Sequence, residues 1–223
     1  MVTLAFDVYG TLINTQGIQI TLAEMLHDEQ QAAALSRRWR EKQLEYSFRR
    51  GLMDHYQPFS VCTRQALDFT LDEAGISLDG RQQNALLTDY RTLPAFTDAH
   101  GLLQQLQLND ARAFAFTNGE AAIASDLLTH AGLIEYLDGI VSVDVLRTFK
   151  PSPKVYNHFI EATDATASQT WLISGNPFDI LGARHAGWRT AWVNRTDAPF
   201  DPWGDAPDVT VPSLTDLAGK LGL

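Results

Sequence analysis

The apolar pattern of the chain changes period along its length. Residues 2–6 form a short apolar run of the kind a buried strand requires, and the run ends abruptly in Asp7. From residue 14 to about residue 93 the pattern is helical, rich in Gln, Leu and Arg, with no strand-like run. The clearest helix is expected over residues 28–53, where Leu44, Phe48 and Leu52 recur every four residues and Arg40 falls on the same face. Further helices are expected near 59–74 and 79–92, with Gly75 ending the first and Pro94 marking the exit. Beyond Pro94, strands alternate with helices. A helix near 97–108 precedes a strand at 111–116, and a helix through Ala131 follows, with Gly132 as its terminating residue. A strand at 139–142 comes next, then a helix over 154–162 opened by Lys150-Pro151-Ser152-Pro153. Strands at 170–173, 190–193 and 209–211, a helix ending near Gly187 and a closing helix at 214–221 complete the pattern. Residues 197–207, with three prolines, read as a surface loop.

This alternation predicts an α/β fold, a doubly wound parallel sheet (Rossmann-like) made of residues 1–13 and 94–223. Residues 14–93 are expected to form a helical cap domain inserted after the first strand. The strands end in polar residues in step: Asp7, then Thr117 and Asn118, then Ser174 through Asp179, with Lys150 in the same relative place before a helix. In a parallel sheet such ends share one edge, where ligands bind. Asp7 alone could be a nucleophile, a metal ligand or a helix N-cap, and Gly10 permits a sharp turn just after it. Several polar strand ends in step point to a site rather than to caps.

Charge narrows the partners. Seventeen basic against 27 acidic residues leave a net charge of −10, which argues against nucleic-acid binding. An anionic substrate would need a locally positive site. The single cysteine, Cys62, permits no internal disulfide and has no activating neighbour in sequence, so it reads as structural in a reducing compartment. No apolar run approaches the roughly 18 residues of a membrane span, and no basic-then-apolar leader is present, so a cytoplasmic protein is expected. The six histidines show no metal-ligand spacing.

Four segments carry a resemblance. Asp7-Val8-Tyr9-Gly10-Thr11-Leu12, Phe116-Thr117-Asn118-Gly119, Lys150-Pro151-Ser152-Pro153-Lys154-Val155-Tyr156 and Ser174-Gly175-Asn176-Pro177-Phe178-Asp179 together resemble the ordered motifs of the haloacid dehalogenase-like hydrolase superfamily. Phosphatases of that superfamily carry a second Asp where Tyr9 stands and a Mg²⁺-holding Asp where Gly175 stands. Both departures match the L-2-haloacid dehalogenase branch, and residues 39–46 resemble that branch's cap-helix signature.

The resemblance implies hydrolysis of a 2-halocarboxylate with inversion, without cofactor or metal, in a homodimer. Asp7 would attack the carbon, Arg40 would meet the leaving halide, and Lys150 would keep Asp7 ionised. Asp179 would activate water for ester hydrolysis, with Thr11, Ser174 and Asn176 orienting Asp7, Lys150 and Asp179, and Tyr156 supporting them. Asn118 and the edge of Phe178 would complete the halide pocket, and Thr117 with backbone N–H groups would hold the carboxylate. Tyr9, Leu44 and Phe59 would line the substrate site. A halide leaves without a proton, which suits Tyr9 in place of an acid. A phosphatase, the same mechanism on another electrophile, and a non-catalytic binding relative are the competing readings.

Overall fold

A computed structural model describes residues 2–222. Six parallel strands form one sheet in the order β3-β2-β1-β4-β5-β6. They are β1 (Val2–Asp7), β2 (Ala111–Thr117), β3 (Gly139–Ser142), β4 (Thr170–Ser174), β5 (Arg189–Val193) and β6 (Val209–Val211). The chain builds outward from β1 to one side, then returns to add β4 on the other. The strand order therefore reverses at β1 and β4, and the crevice at their C-terminal ends is the place such sheets reserve for ligands.

β1 is central and covered on both faces: Leu4, Ala5 and Phe6 have no exposure. Leu4 and Phe6 join one core with Leu102, Leu103, Leu127 and Leu128, from α5 (Ala99–Leu106) and α6 (Ala121–His130). Ala5 joins a second core with Tyr156 and Phe159 of α7 (Pro153–Thr163) and Ile180 of α8 (Pro177–His185). Each buried Leu or Phe contributes about 1.5–3 kcal/mol. The strand's alternate residues are thus clamped from two sides, which fixes where Asp7 emerges. Residues 197–207 carry no strand or helix, and Trp203 there is exposed. The closing segment is a short 3-10 turn followed by α9 (Leu217–Leu221).

Between β1 and α5 the described chain is helical: α1 (Gln19–Leu26), α2 (Glu29–Leu52), α3 (Phe59–Glu73) and α4 (Gly80–Asp89). It leaves near Ile13 and returns at Ala95, and these two residues bridge one another. α2 starts where Asp28 accepts hydrogen bonds from the backbone N–H groups of Gln30 and Gln31. Its buried face differs from the one expected. Ala32, Leu35, Ser36, Trp39, Gln43 and Ser47 point inward, Leu44 and Phe48 are half-buried, and Leu52 is 88% exposed. The inward face carries polar side chains that find partners inside. Gln43 donates to Thr63 and Ser47 donates to the Leu44 carbonyl, so apolarity alone could not locate that face.

Candidate active site

The turn after β1 folds tightly, with the N–H groups of Leu12 and Ile13 both donating to the Val8 carbonyl. Gly10 sits at φ +89°, which side-chain-bearing residues rarely adopt. The turn brings Thr11 back over the strand end, where its hydroxyl donates to Asp7 Oδ2 at 2.8 Å. Asn176 Nδ2 donates to the same oxygen at 2.7 Å, and Ser174 Oγ lies at 3.4 Å. Thr11, Asn176 and Ser174 therefore all converge on Asp7, rather than being shared among Asp7, Lys150 and Asp179 as expected. They lie at the ends of the adjacent strands β1 and β4, so they reach the same carboxylate. Among the described residues every donor to Asp7 is a side chain, so this carboxylate caps no helix.

Lys150 is nearly fully buried and donates three ways: to Asp7 Oδ1 at 3.1 Å, to Asp179 Oδ2 at 2.8 Å and to the Phe116 carbonyl at 2.8 Å. An ammonium has three donors, so its capacity is used in full. The Phe116 ring lies 4.1 Å beneath it. Tyr156 donates its hydroxyl to Asp179 Oδ1 at 2.7 Å. Burial pushes the Asp179 carboxyl up to about 6. The Lys150 ammonium and the Tyr156 hydroxyl pull it back down, while the Asp7 charge adds to the rise. The result is a carboxylate poised to take a proton near neutral pH.

Arg40, half-buried on α2, donates from Nη2 to the Tyr9 carbonyl at 3.1 Å. That carbonyl also accepts from Asn176 Nδ2 at 3.0 Å, which ties the guanidinium to the Asp7 network. The Tyr9 ring packs on Phe59, centroids 5.5 Å apart, and burial raises its phenol well above the usual range. Asn118 accepts from the Lys150 backbone N–H at 2.9 Å, while Thr117 Oγ1 accepts from the Gly119 N–H at 3.0 Å. Phe178 packs edge-on against Phe48, centroids 5.0 Å apart. Leu44 is half-buried on α2 and makes no hydrogen bond or ring contact with the Asp7 cluster.

Asp7 is 7% exposed, so the cluster is closed. Two clefts flank it. One of about 340 Å³ is lined by Tyr9, Phe59, Arg64, Tyr90, Arg91 and Glu120 among others. The other, about 480 Å³, includes Phe48, Phe149, Lys150 and Phe178. Asp7 lines neither cleft, so a substrate reaching it requires side-chain movement.

Thr63 and Tyr90 lie outside every motif, and Gln43 and Phe116 lie inside motif stretches without a role read for either, yet all four contact residues of this site. Cys62 is fully buried, and burial raises its thiol to about 11. Treatment of the native protein with a thiol-alkylating reagent at pH 7 is expected to leave activity unchanged and Cys62 unmodified by mass spectrometry. Rapid labelling would contradict its burial.

The sequence profile of the haloacid dehalogenase-like hydrolases matches residues 1–187. The chain belongs to the haloacid dehalogenase-like hydrolase family. It is 34% identical to the (S)-2-haloacid dehalogenase of Pseudomonas sp. (strain YL), over 95% of this chain and 90% of that one. It is 32% identical to haloacetate dehalogenase H-2 of Moraxella sp. (strain B), over 99% and 97% of the two chains. Its fold matches the L-2-haloacid dehalogenase of Xanthobacter autotrophicus solved with chloropropionic acid covalently bound, with a TM-score of 0.91 at 30% identity over 100% and 99% of the two chains.

Position 175, where phosphatases of the superfamily carry a Mg²⁺-holding Asp, offers no side-chain ligand here. The Lys150 ammonium bridges Asp7 and Asp179. A Cβ on Gly175 would come within 2.6 Å of the Gly10 carbonyl oxygen, so no side-chain ligand can be placed there without moving backbone. Among the described residues no group of three or more His, Cys, Asp or Glu is disposed to hold a metal ion.

Proposed function

We propose that this protein is a hydrolase of carbon–halide bonds that converts short (S)-2-haloalkanoic acids to 2-hydroxy acids with inversion, using Asp7 as nucleophile. One observation carries the proposal: a buried ammonium bridges two carboxylates at the sheet's switch point, in a chain whose fold matches a dehalogenase solved with chloropropionic acid covalently bound. Asp7 Oδ2 is occupied by Thr11 and Asn176, so Oδ1 is the oxygen left to attack.

That oxygen forms a bond to C2 of the substrate as the carbon–halogen bond breaks opposite it, and the halide departs with the bonding pair. Arg40 offsets the charge that builds on the halide, with Asn118 and Phe178 completing its surroundings. Thr117 and neighbouring backbone N–H groups hold the substrate carboxylate, and Tyr9, Phe59 and Leu44 cover its carbon chain. Asp179 then takes a proton from water, and the hydroxide adds to the Asp7 ester carbonyl. The acyl–oxygen bond breaks, the departing alkoxide recovers the proton from Asp179, and Asp7, left as a carboxylic acid, releases its proton to water to restore the carboxylate. Lys150 and Tyr156 hold Asp179 and Asp7 in register throughout.

The helices of residues 14–93 act as a cap over a core of residues 1–13 and 94–223, and turnover needs no metal. Among the described residues no helix is long and apolar enough to cross a membrane. A cytoplasmic setting belongs to the same proposal and is supported by the one free cysteine, while the homodimer rests on the family resemblance.

The test is halide release from L- and D-2-chloropropionate with and without EDTA. Release from the L enantiomer alone, unaffected by EDTA, is expected. Magnesium-dependent turnover of a phosphate ester without halide release would establish the phosphatase reading instead. Inactivity on both would point to a binding protein.

A further inference from the structure

On the strength of the dehalogenase proposal, we infer that Gln43 is a positioning residue that holds the Arg40 guanidinium in place without neutralising it. Gln43 lies on α2 three residues beyond Arg40 and has no solvent exposure. Its Oε1 accepts from Arg40 Nη1 at 2.6 Å and from the Tyr90 hydroxyl at 3.0 Å. Its Nε2 donates to Thr63 Oγ1 at 2.5 Å, and Thr63 donates onward to the Phe59 carbonyl at 2.8 Å. The amide orientation is set by its neighbours, because a guanidinium can only donate and must meet the oxygen.

The other fixed point of Arg40 is the Tyr9 carbonyl, also held by the Asn176 amide that holds Asp7. Gln43 and Tyr9 thus grip two of the guanidinium's nitrogens and fix its plane. These two contacts use two of the five N–H donors of the guanidinium.

The chemistry of the acceptors matters as much as their placement. On the same helix, Arg38 pairs with Glu73 and Glu41, and Arg49 pairs with Glu45. Arg40 donates to an amide and a backbone oxygen and lies beside the Tyr90 hydroxyl, and among the described residues no carboxylate lies within ion-pair distance of it. A carboxylate at position 43 could accept the same hydrogen bonds from Arg40 and Tyr90, though it would lose the one Gln43 donates to Thr63, and it would supply a resident counter-charge. The pull on a leaving halide would then fall, even with the geometry kept. An uncharged acceptor leaves the positive charge unspent until the carbon–halogen bond breaks.

Gln43→Glu and Gln43→Met separate the two parts of this role. The measurement is kcat/KM for L-2-chloro-, bromo- and iodopropionate, which reports the halide-releasing step, together with inhibition by added bromide. Gln43→Glu is expected to lower kcat/KM for the chloro substrate by roughly tenfold or more, and for the iodo substrate by less, because chloride concentrates its charge. Bromide inhibition weakens in parallel. Gln43→Met keeps the volume but lets Arg40 loosen, and a loss of about tenfold on the chloro substrate is expected. This variant decides the matter if the glutamate does not fold.

A folded Gln43→Glu protein with the wild-type chloride-to-iodide ratio would overturn the inference, because a purely structural role lowers all three rates alike. So would unchanged kinetics in Gln43→Met. If the unaltered protein releases no halide from any of these acids, the dehalogenase proposal itself fails, and this inference fails with it.

Discussion

Replacing Asp7 by asparagine is expected to reduce halide release from L-2-chloropropionate by roughly 10⁴-fold or more, the scale seen when a nucleophile is removed from a site that acts as a unit. The reason lies in how its two oxygens are used. Oδ2 accepts from Thr11 and Asn176, while Oδ1 faces only Lys150 Nζ. In Asp7→Asn one of these positions becomes an NH₂ group. If it falls on the Oδ1 side, it confronts an ammonium. If it falls on the Oδ2 side, it confronts a hydroxyl donor and an amide donor. Either way the attacking oxygen is lost or withdrawn, and a buried donor is left unmatched at a cost of about 1–3 kcal/mol. Thermal unfolding should therefore show a modest loss of stability in a protein that still folds, while halide assays show almost none of the original rate. Turnover retained at a sizeable fraction of that rate would put the nucleophile elsewhere.

The sequence located the strand-edge site because that location depends only on periodicity. Apolar runs that end in polar residues converge wherever strands are parallel, and Asp7, Ser174, Asn176 and Asp179 followed from that rule. Hydrogen-bond partition is a finer matter. Whether Thr11, Ser174 and Asn176 support one carboxylate or three groups depends on a tight turn and on the register of β1 against β4. Neither is readable from composition. The buried face of α2 departs from the apolar stripe for a related reason. Leu44, Phe48 and Leu52 form the more apolar stripe, but Gln43 and Ser47 are the residues that go inside. Burial there is decided by partners contributed from α3 and by Tyr90, which lie far away in sequence. Tertiary satisfaction of polar groups overrode amphipathicity, and the site's positioning chemistry lies in the part that pattern could not reach.

Replacing Asp179 by asparagine is expected to divide the reaction in two. The first step needs only Asp7, the substrate and a charge to meet the halide, so it should proceed. The second needs a base for water, and Asn176, Ser174 and Thr11 cannot supply one because all three already serve Asp7. Ester should accumulate, and mass spectrometry of acid-quenched Asp179→Asn protein should find the propionate adduct on Asp7. Recovery of unmodified protein only, at times when the first step is complete, would remove Asp179 from this role. The unaltered protein offers an independent check through pH. Burial raises the Asp179 carboxyl to about 6, and the base must be ionised to act. Its ionised fraction rises as pH climbs through that value and falls below it. Esterification removes the Asp7 charge that adds to the rise of the Asp179 carboxyl, so single-turnover ester hydrolysis should be flat above pH 6 and decline by roughly tenfold per unit only once pH has fallen below that value. Halide release in the same experiment should not follow the Asp179 titration, because that step takes no proton from water. A deacylation rate that shows no acid limb at any pH where the protein stays folded would mean that water is activated by another group. The adduct experiment would then show whether Asp179 still governs the step by holding Lys150, which contacts both carboxylates.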